Sequence, residues 1–175
     1  MKRKAEHPLS KIRTGSGDKG TTFLKLPKVS KGSAEVEFVG DLDEACALLG
    51  GVECNNPEIQ TLVEESKTIL FVIGACLHSL RAHKEHLDTL DEYVEKTSAL
   101  IKTVGSNIPV KLEGFIIPDR HNYVVMHSRA VVRRAERSAV RCNEMWAVPV
   151  LNTMSDLLFL VAWHDNPASD QWKGF

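Results

Sequence analysis

The chain has 175 residues, 26% charged and 43% hydrophobic, with a formal net charge of −1 at pH 7. That length suits one domain with a sizeable core, and the charge balance gives no reason to expect nucleic acid or an anionic membrane as the main partner. No apolar run reaches the ~18 residues a membrane span needs. Met1 to Lys11 is charged and lacks the apolar core of a secretory signal, so a soluble, unsecreted protein is expected.

In chain order, residues 1–33 are rich in Gly, Ser, Thr and Lys without helical periodicity, which predicts an ordered N-terminal loop or tail. Within it, Gly15, Gly17 and Gly20 alternate with the hydroxyl residues Thr14, Ser16, Thr21 and Thr22. Backbone N–H groups can converge there on an anion, while Lys19, Lys28 and Lys31 add positive charge. The segment is not a Walker A loop, because the Gly-x-x-x-x-Gly-Lys-Ser/Thr spacing is missing. A flexible connector has the same composition.

Hydrophobic periodicity predicts helices at 34–54, 57–81, 85–104, 119–144 and 148–165. Their boundaries are Asn55-Asn56-Pro57, the polar stretch around His83, the break from Gly105 to Pro109, and Pro149. Five helices with short connections make an all-α, antiparallel five-helix bundle over 34–167, with 168–175 as a C-terminal tail. Cys46, Cys54, Cys76 and Cys142 show no Cys-x-x-Cys spacing and are expected as reduced, buried thiols. His83 and His86, in a charged segment, are expected to face solvent.

Three helices carry residues that packing alone does not explain. Arg129, Arg133, Arg134 and Arg137 fall within an arc of about 140° on the fourth helix, with Glu136 at its edge and Val125, Val131, Val132, Ala135 and Ala139 opposite. Guanidinium groups concentrated this way pair with carboxylates or grip phosphates; a solvated face shares the pattern. On the fifth helix, Asn152, Ser155 and Asp156 lie on a stripe with Phe159 and Trp163 in otherwise apolar company, where each polar group needs a partner. On the first, Asp43 shares a stripe with Val36, Val39, Cys46, Ala47 and Gly50, and an arginine of the fourth helix is its expected partner.

These segments, with Phe115-Ile116-Ile117-Pro118 between them, follow one another as in the ATP:cob(I)alamin adenosyltransferases of the PduO type, which the chain resembles over about residues 12 to 165. The resemblance implies a bundle of ferritin-like architecture that assembles as a homotrimer, with each active site between the N-terminal loop of one subunit and helices of its neighbour. It implies transfer of the 5′-deoxyadenosyl group of ATP to cob(I)alamin, made from cob(II)alamin, with release of triphosphate. Carried over by motif, Thr14, Gly15, Ser16, Gly17, Thr22, Lys31, Arg133, Arg134, Glu136, Arg137 and Asn152 are the expected ATP contacts, with Mg²⁺ held mainly by the phosphates. Arg133 is the expected stabiliser of leaving-group charge. Asp43 and Arg129 resemble the family's ion pair on the corrinoid side, and Phe115 its hydrophobic wedge against the lower cobalt ligand.

Implied partners are a corrinoid reductase and an adenosylcobalamin-dependent enzyme such as a mutase or dehydratase. The implied compartment is the cytoplasm in a bacterium or the mitochondrial matrix in a eukaryote. The chain departs from the family pattern at Thr153, where many relatives carry Arg, at Asp119 to Asn122, and in lacking Gly-Gly after Leu24. A non-catalytic bundle that senses ATP or grips an acidic partner is the alternative. A di-iron enzyme is set aside, since no Glu-x-x-His ligand motif is present.

Overall fold

The computed structural model describes residues 15–24 and 28–173, so Thr14 lies outside the described residues. Two short strands come first, β1 (Thr21–Thr22) and β2 (Val29–Ser30), paired antiparallel with Thr22 opposite Val29. Helix α1 (Ala34–Leu49) starts where the Ser33 hydroxyl accepts the Val36 N–H and where Glu35 and Glu37 complement the positive end of the helix dipole. It stops at Leu49 instead of continuing to 54. Gly50 and Gly51, poor helix formers, turn their N–H groups back to the carbonyls of Ala47 and Leu48.

Asn56 caps α2 (Pro57–His78) through the N–H groups of Glu58 and Ile59, with proline in the first turn, where its missing donor costs nothing. A single extended residue, Ser79, separates α2 from α3 (Leu80–Asn107), and its hydroxyl caps α3 through Arg81 and Ala82. The expected start at 85 is thereby corrected. Helix α3 runs straight through the polar stretch, because the hydroxyl cap sits ahead of it. His83 is also not simply solvent-facing; its ring centroid lies 4.7 Å from that of Trp146.

After β3 (Phe115–Ile116), Asp119 folds a turn by accepting the N–H groups of His121 and Asn122, which delays α4 to Tyr123–Arg141. A short 3₁₀ turn at Met145–Ala147 leads into α5 (Val148–Asp165), and β4 (Gln171–Trp172) pairs antiparallel with β3. All four cysteines are free, with Cys76 buried and the others half-buried.

The bundle closes around α5. Helix α4 packs chiefly on α5 and α1, α2 on α3 and α1, and α3 on α5. Leu151, Met154, Leu157 and Leu158 of α5 are fully buried, and each such side chain contributes roughly 1.5–3 kcal/mol by leaving water. One correction follows for the hydropathy reading. Met145–Asp165 is long and apolar enough to cross a membrane by length and composition, with a mean hydropathy of 1.5, yet its apolar side chains form the core of this bundle.

Candidate active site

The glycine loop is built by its own backbone. Gly15 and Gly20 have φ of 66° and 75°, a left-handed conformation that glycine adopts without steric cost. Hydrogen bonds from Asp18 N–H to Gly15 O and from Gly20 N–H to Gly17 O tighten the turn, and Lys31 N–H to Gly20 O ties it to the far side of β2. The same fold brings the Lys31 side chain over the loop: a Cβ on Gly17 would lie 2.8 Å from Lys31 Nζ. Gly15, Ser16, Gly17, Thr22 and Lys31 are thus one constellation, with Thr22 in β1. Lys28 instead lies over the Phe23 ring, at 4.8 Å.

The arginines of α4 divide into two groups. On the α1 side, Arg134 Nε donates to Asp41 Oδ1 at 2.8 Å and its Nη2 meets Glu44; Asp41 also accepts from the Ser138 hydroxyl. Arg141 Nη2 reaches Ser138 Oγ at 2.6 Å and Glu37 at 3.2 Å. Asp41 is only 7% exposed and Ser138 is fully buried, so this carboxylate is held by both a guanidinium and a hydroxyl. The Asp41 hydrogen bond, reinforced by the nearby Asp41 and Glu44 charges, holds the Arg134 charge above its ordinary value.

Two sequence expectations change here. Arg134 is expected at ATP, and the structure gives its guanidinium two carboxylates of α1 instead. Asp43 is expected on the buried stripe beside Arg129, but the buried face of α1 carries Phe38, Asp41, Leu42, Ala45 and Leu49. Asp43 is exposed and borders a shallow cleft with Val39, Cys46, Phe71 and His78. Two residues along a helix is a turn of about 200°, which puts Asp41 toward α4 and Asp43 away from it.

Arg129 and Arg133 lie toward α5, and Arg137 is exposed. Among the described residues, no carboxylate lies within ion-pair range of Arg129, Arg133 or Arg137; Arg137 Nη1 donates to the Arg133 carbonyl at 2.9 Å. Arg129 sits 5.1 Å over the Phe159 ring, with its Nε buried and without a partner. Burial and the Arg133 charge push Arg129 below its ordinary value, with Asp156 opposing. Burial pushes the Asp156 carboxyl up, and Arg129 and Arg133 pull it back. Asn152 and Asp156 open to solvent, Glu136 is half-buried, and Ser155 points into the core with its hydroxyl unpartnered.

Phe115 is 62% exposed, so it is not a core aromatic. Trp172, 50% exposed, is its direct partner across the β3–β4 pair, a neighbour that sequence reasoning missed. Gln171 Oε1 accepts the N–H groups of Glu113 and Gly114, Ile117 N–H donates to Asp170 O, and Lys173 pairs with Glu113. The backbone of Trp172 approaches Gly114 so closely that no Cβ would fit. That glycine was the available sequence signal, but it named no partner.

Comparison with known proteins gives the family. The sequence profile described as cobalamin adenosyltransferase matches residues 12–164. A corrinoid adenosyltransferase of Mycobacterium tuberculosis is 30% identical over 93% of this chain and 92% of its own length. A cobalamin adenosyltransferase of Cupriavidus metallidurans is 31% identical over 88% and 87%. Among solved structures, a variant PduO-type ATP:corrinoid adenosyltransferase from Lactobacillus reuteri, complexed with cobalamin and ATP, superposes with a TM-score of 0.68 at 20% identity, covering 93% of this chain and 99% of that one. Another variant of it, complexed with ATP, gives 0.68 at 23% identity over 89% and 94%. At those identities the structural likeness is one of fold, a helical bundle, and the sequence profile and the curated relatives carry the assignment. The chain belongs to the cobalamin adenosyltransferase family.

Proposed function

We propose that this chain transfers the 5′-deoxyadenosyl group of ATP to the cobalt of a cob(I)alamin substrate, giving adenosylcobalamin and inorganic triphosphate. The observation that carries this reading is the arginine face of α4, where Arg129 lies over Phe159 and, among the described residues, no carboxylate is within ion-pair range of Arg129, Arg133 or Arg137. The cobalt electron pair forms the bond to the 5′ carbon while the bond from that carbon to oxygen breaks and its electrons leave with triphosphate. The protein therefore needs no nucleophile of its own. It needs fixed positive charge where negative charge grows, and it needs the reacting atoms held in line.

Arg133 is the main stabiliser of the leaving group, with Arg137 and Asn152 beside it. Gly15 to Gly17, Thr22 and Lys31 bring the second set of phosphate donors from the loop, and Thr14 belongs with them by motif. Mg²⁺ is a companion of the triphosphate, because a hard, strongly hydrated cation is better served by phosphate oxygens and water than by an arginine-rich face. The loop and the arginine face belong to different subunits of a homotrimer, in which the exposed Asp43 of one chain meets Arg129 of the partner subunit. Asp43 is exposed, and the half-buried Arg129 has no carboxylate within ion-pair range among the described residues, which supports that pairing. Phe115, with Trp172 beside it, covers the lower face of the corrin and excludes an axial ligand, which makes cobalt(II) easier for a partner reductase to reduce.

Incubation with ATP, Mg²⁺ and chemically reduced cobalamin tests the proposal. Adenosylcobalamin absorbance and triphosphate should appear in equal amounts. Binding of ATP without triphosphate release would instead identify a nucleotide-sensing bundle.

A further inference from the structure

At one end of the bundle the α1–α2 loop meets the last turn of α5, and three side chains that the adenosyl-transfer reading does not use converge there. Cys54 Sγ lies 3.4 Å and His164 Nδ1 2.7 Å from the same oxygen, Asp165 Oδ1. The three potential ligand atoms all lie within 4.8 Å of one another. We propose that Cys54, His164 and Asp165 form a binding site for a borderline-soft divalent cation of the zinc class.

The donor set is one thiol, one imidazole and one carboxylate, the three side-chain types that bind this class of ion. Bond lengths of ~2.3 Å to sulfur and ~2.0–2.2 Å to nitrogen and oxygen place neighbouring ligand atoms of a tetrahedral ion roughly 3.3–3.7 Å apart. The sulfur-to-oxygen separation already has that value. The imidazole nitrogen must also shift by about 1 Å, away from the Asp165 oxygen and toward the Cys54 sulfur, as its hydrogen bond to Asp165 is replaced by bonds to a shared ion.

The ligands are also held in place before any ion arrives. Cys54 N–H donates to Gln60 Oε1 at 2.8 Å, which ties the loop to α2, and Asn55 N–H donates to Asp165 Oδ2 at 3.0 Å and Oδ1 at 3.3 Å, which ties it to the end of α5. A cavity of about 550 Å³ borders Cys54 and Asp165, with Glu53 and His121 also on its wall. It leaves room for a fourth ligand from water or from one of those side chains. An ion joining this site displaces the Cys54 thiol proton, which passes to solvent.

Cobalt(II) titration of the chelator-stripped, full-length protein under a non-coordinating reductant tests the site directly. One ion per chain is expected, with a near-ultraviolet thiolate-to-cobalt band and visible bands of tetrahedral intensity that zinc(II) abolishes in competition. Cys54→Ser should remove the thiolate band while Cys46→Ser and Cys142→Ser keep it. His164→Ala should weaken binding by more than the ~10–100-fold that loss of a mere outer-shell partner costs. Absence of any bound cobalt, or a thiolate band that survives in Cys54→Ser, would overturn the proposal. Because the readout is spectroscopic and uses neither ATP nor corrinoid, failure of the adenosyl-transfer reading would leave this result unaffected.

Discussion

Arg133 and Arg134 are neighbours in one helix and have opposite surroundings. Arg134 turns to α1, where Asp41, Glu44 and Ser138 close a network around it with Arg141 and Glu37. Arg133 turns to α5, where Arg129 adds like charge and Asp156 is the carboxylate whose charge it senses. A charge with its counter-ions already in place holds a fold together and has little left for a ligand. A charge left open costs the fold and is available for one. The partner status of each guanidinium, more than its presence in a stripe, separates the structural arginine from the functional one.

The comparison breaks most easily at Asp41. Removing one partner of a buried pair costs ~3–5 kcal/mol, because the other charge stays behind undersolvated. Arg134 is 38% exposed and keeps Glu44, so Asp41→Ala should cost less than that, about 1.5–3 kcal/mol for the lost charged hydrogen bonds, read as a fall in the denaturant midpoint at an unchanged slope. Its folded fraction should still turn over substrate. Arg133→Ala should do the reverse: a midpoint unchanged or slightly raised, and a turnover loss worth ~3–4 kcal/mol of barrier, the usual cost of one donor at a developing negative charge. If Asp41→Ala abolished turnover in folded protein, or Arg133→Ala unfolded the chain, the division of the helix into a seam and an open face would be wrong.

Asp43 sharpens the same contrast across the assembly. In the proposed trimer, the exposed Asp43 of one subunit beside Arg129 of the partner subunit predicts that Asp43→Ala and Arg129→Ala each weaken corrinoid binding, with a double mutant short of additivity by ~0.5–3 kcal/mol. Mixed assemblies of Lys31→Ala and Arg133→Ala subunits, each inactive alone, should regain part of the activity. Additive effects and no recovery in verified mixed trimers would place the whole site within one chain.

The helices were legible because their apolar periods are long and their caps conventional: Ser33, Asn56 and Pro57 are plain start signals. The misses share a physical origin. Helix α1 has apolar residues on two faces, and Val36, Val39 and Cys46 make the wrong one look buried, so the sequence points to Asp43 as the buried carboxylate where the structure buries Asp41. Ser79 is hidden as a cap because it falls inside the expected helix 57–81, with Cys76 and Leu77 before it and Leu80 after it continuing the apolar pattern. The residues of the candidate site were visible as local motifs, but which arginine faces which helix depends on angles that only packing sets. The pairing of Phe115 with Trp172 joins distant segments through strands of two residues each, too short to leave a pattern.

That pairing gives the next test. Phe115 has no polar atom, so Phe115→Ala should leave ATP affinity unchanged and remove the spectral signature of four-coordinate cob(II)alamin in the ATP complex. With a weak reductant, turnover should fall by an amount comparable to the ~1.5–3 kcal/mol that burying such a ring is worth. It should recover when cobalt(I) is supplied ready-made. Trp172→Ala should give a smaller effect of the same kind. Persistence of the four-coordinate species in the double variant would assign the displacement to another group.

The smallest expected effect tests the claim that the open face costs the fold. Burial raises the Asp156 carboxyl above its ordinary value even with Arg129 and Arg133 pulling the other way, so the folded chain holds this proton more tightly than the unfolded chain does. The stability it contributes is therefore full below the unfolded value of 3.8 and is lost as pH rises through the higher folded value. At pH 7 the ionised carboxylate is a net cost, and Asp156→Asn should relieve it. Because the side chain reaches solvent, screening limits the gain to a few tenths of a kcal/mol. The variant should thus be slightly more stable than the parent at pH 7 and indistinguishable from it near pH 3, where both carry a neutral group. An Asp156→Asn protein less stable at neutral pH would show that this carboxylate already serves Arg129 and Arg133 as Asp41 serves Arg134, and the two faces of α4 would no longer differ in kind.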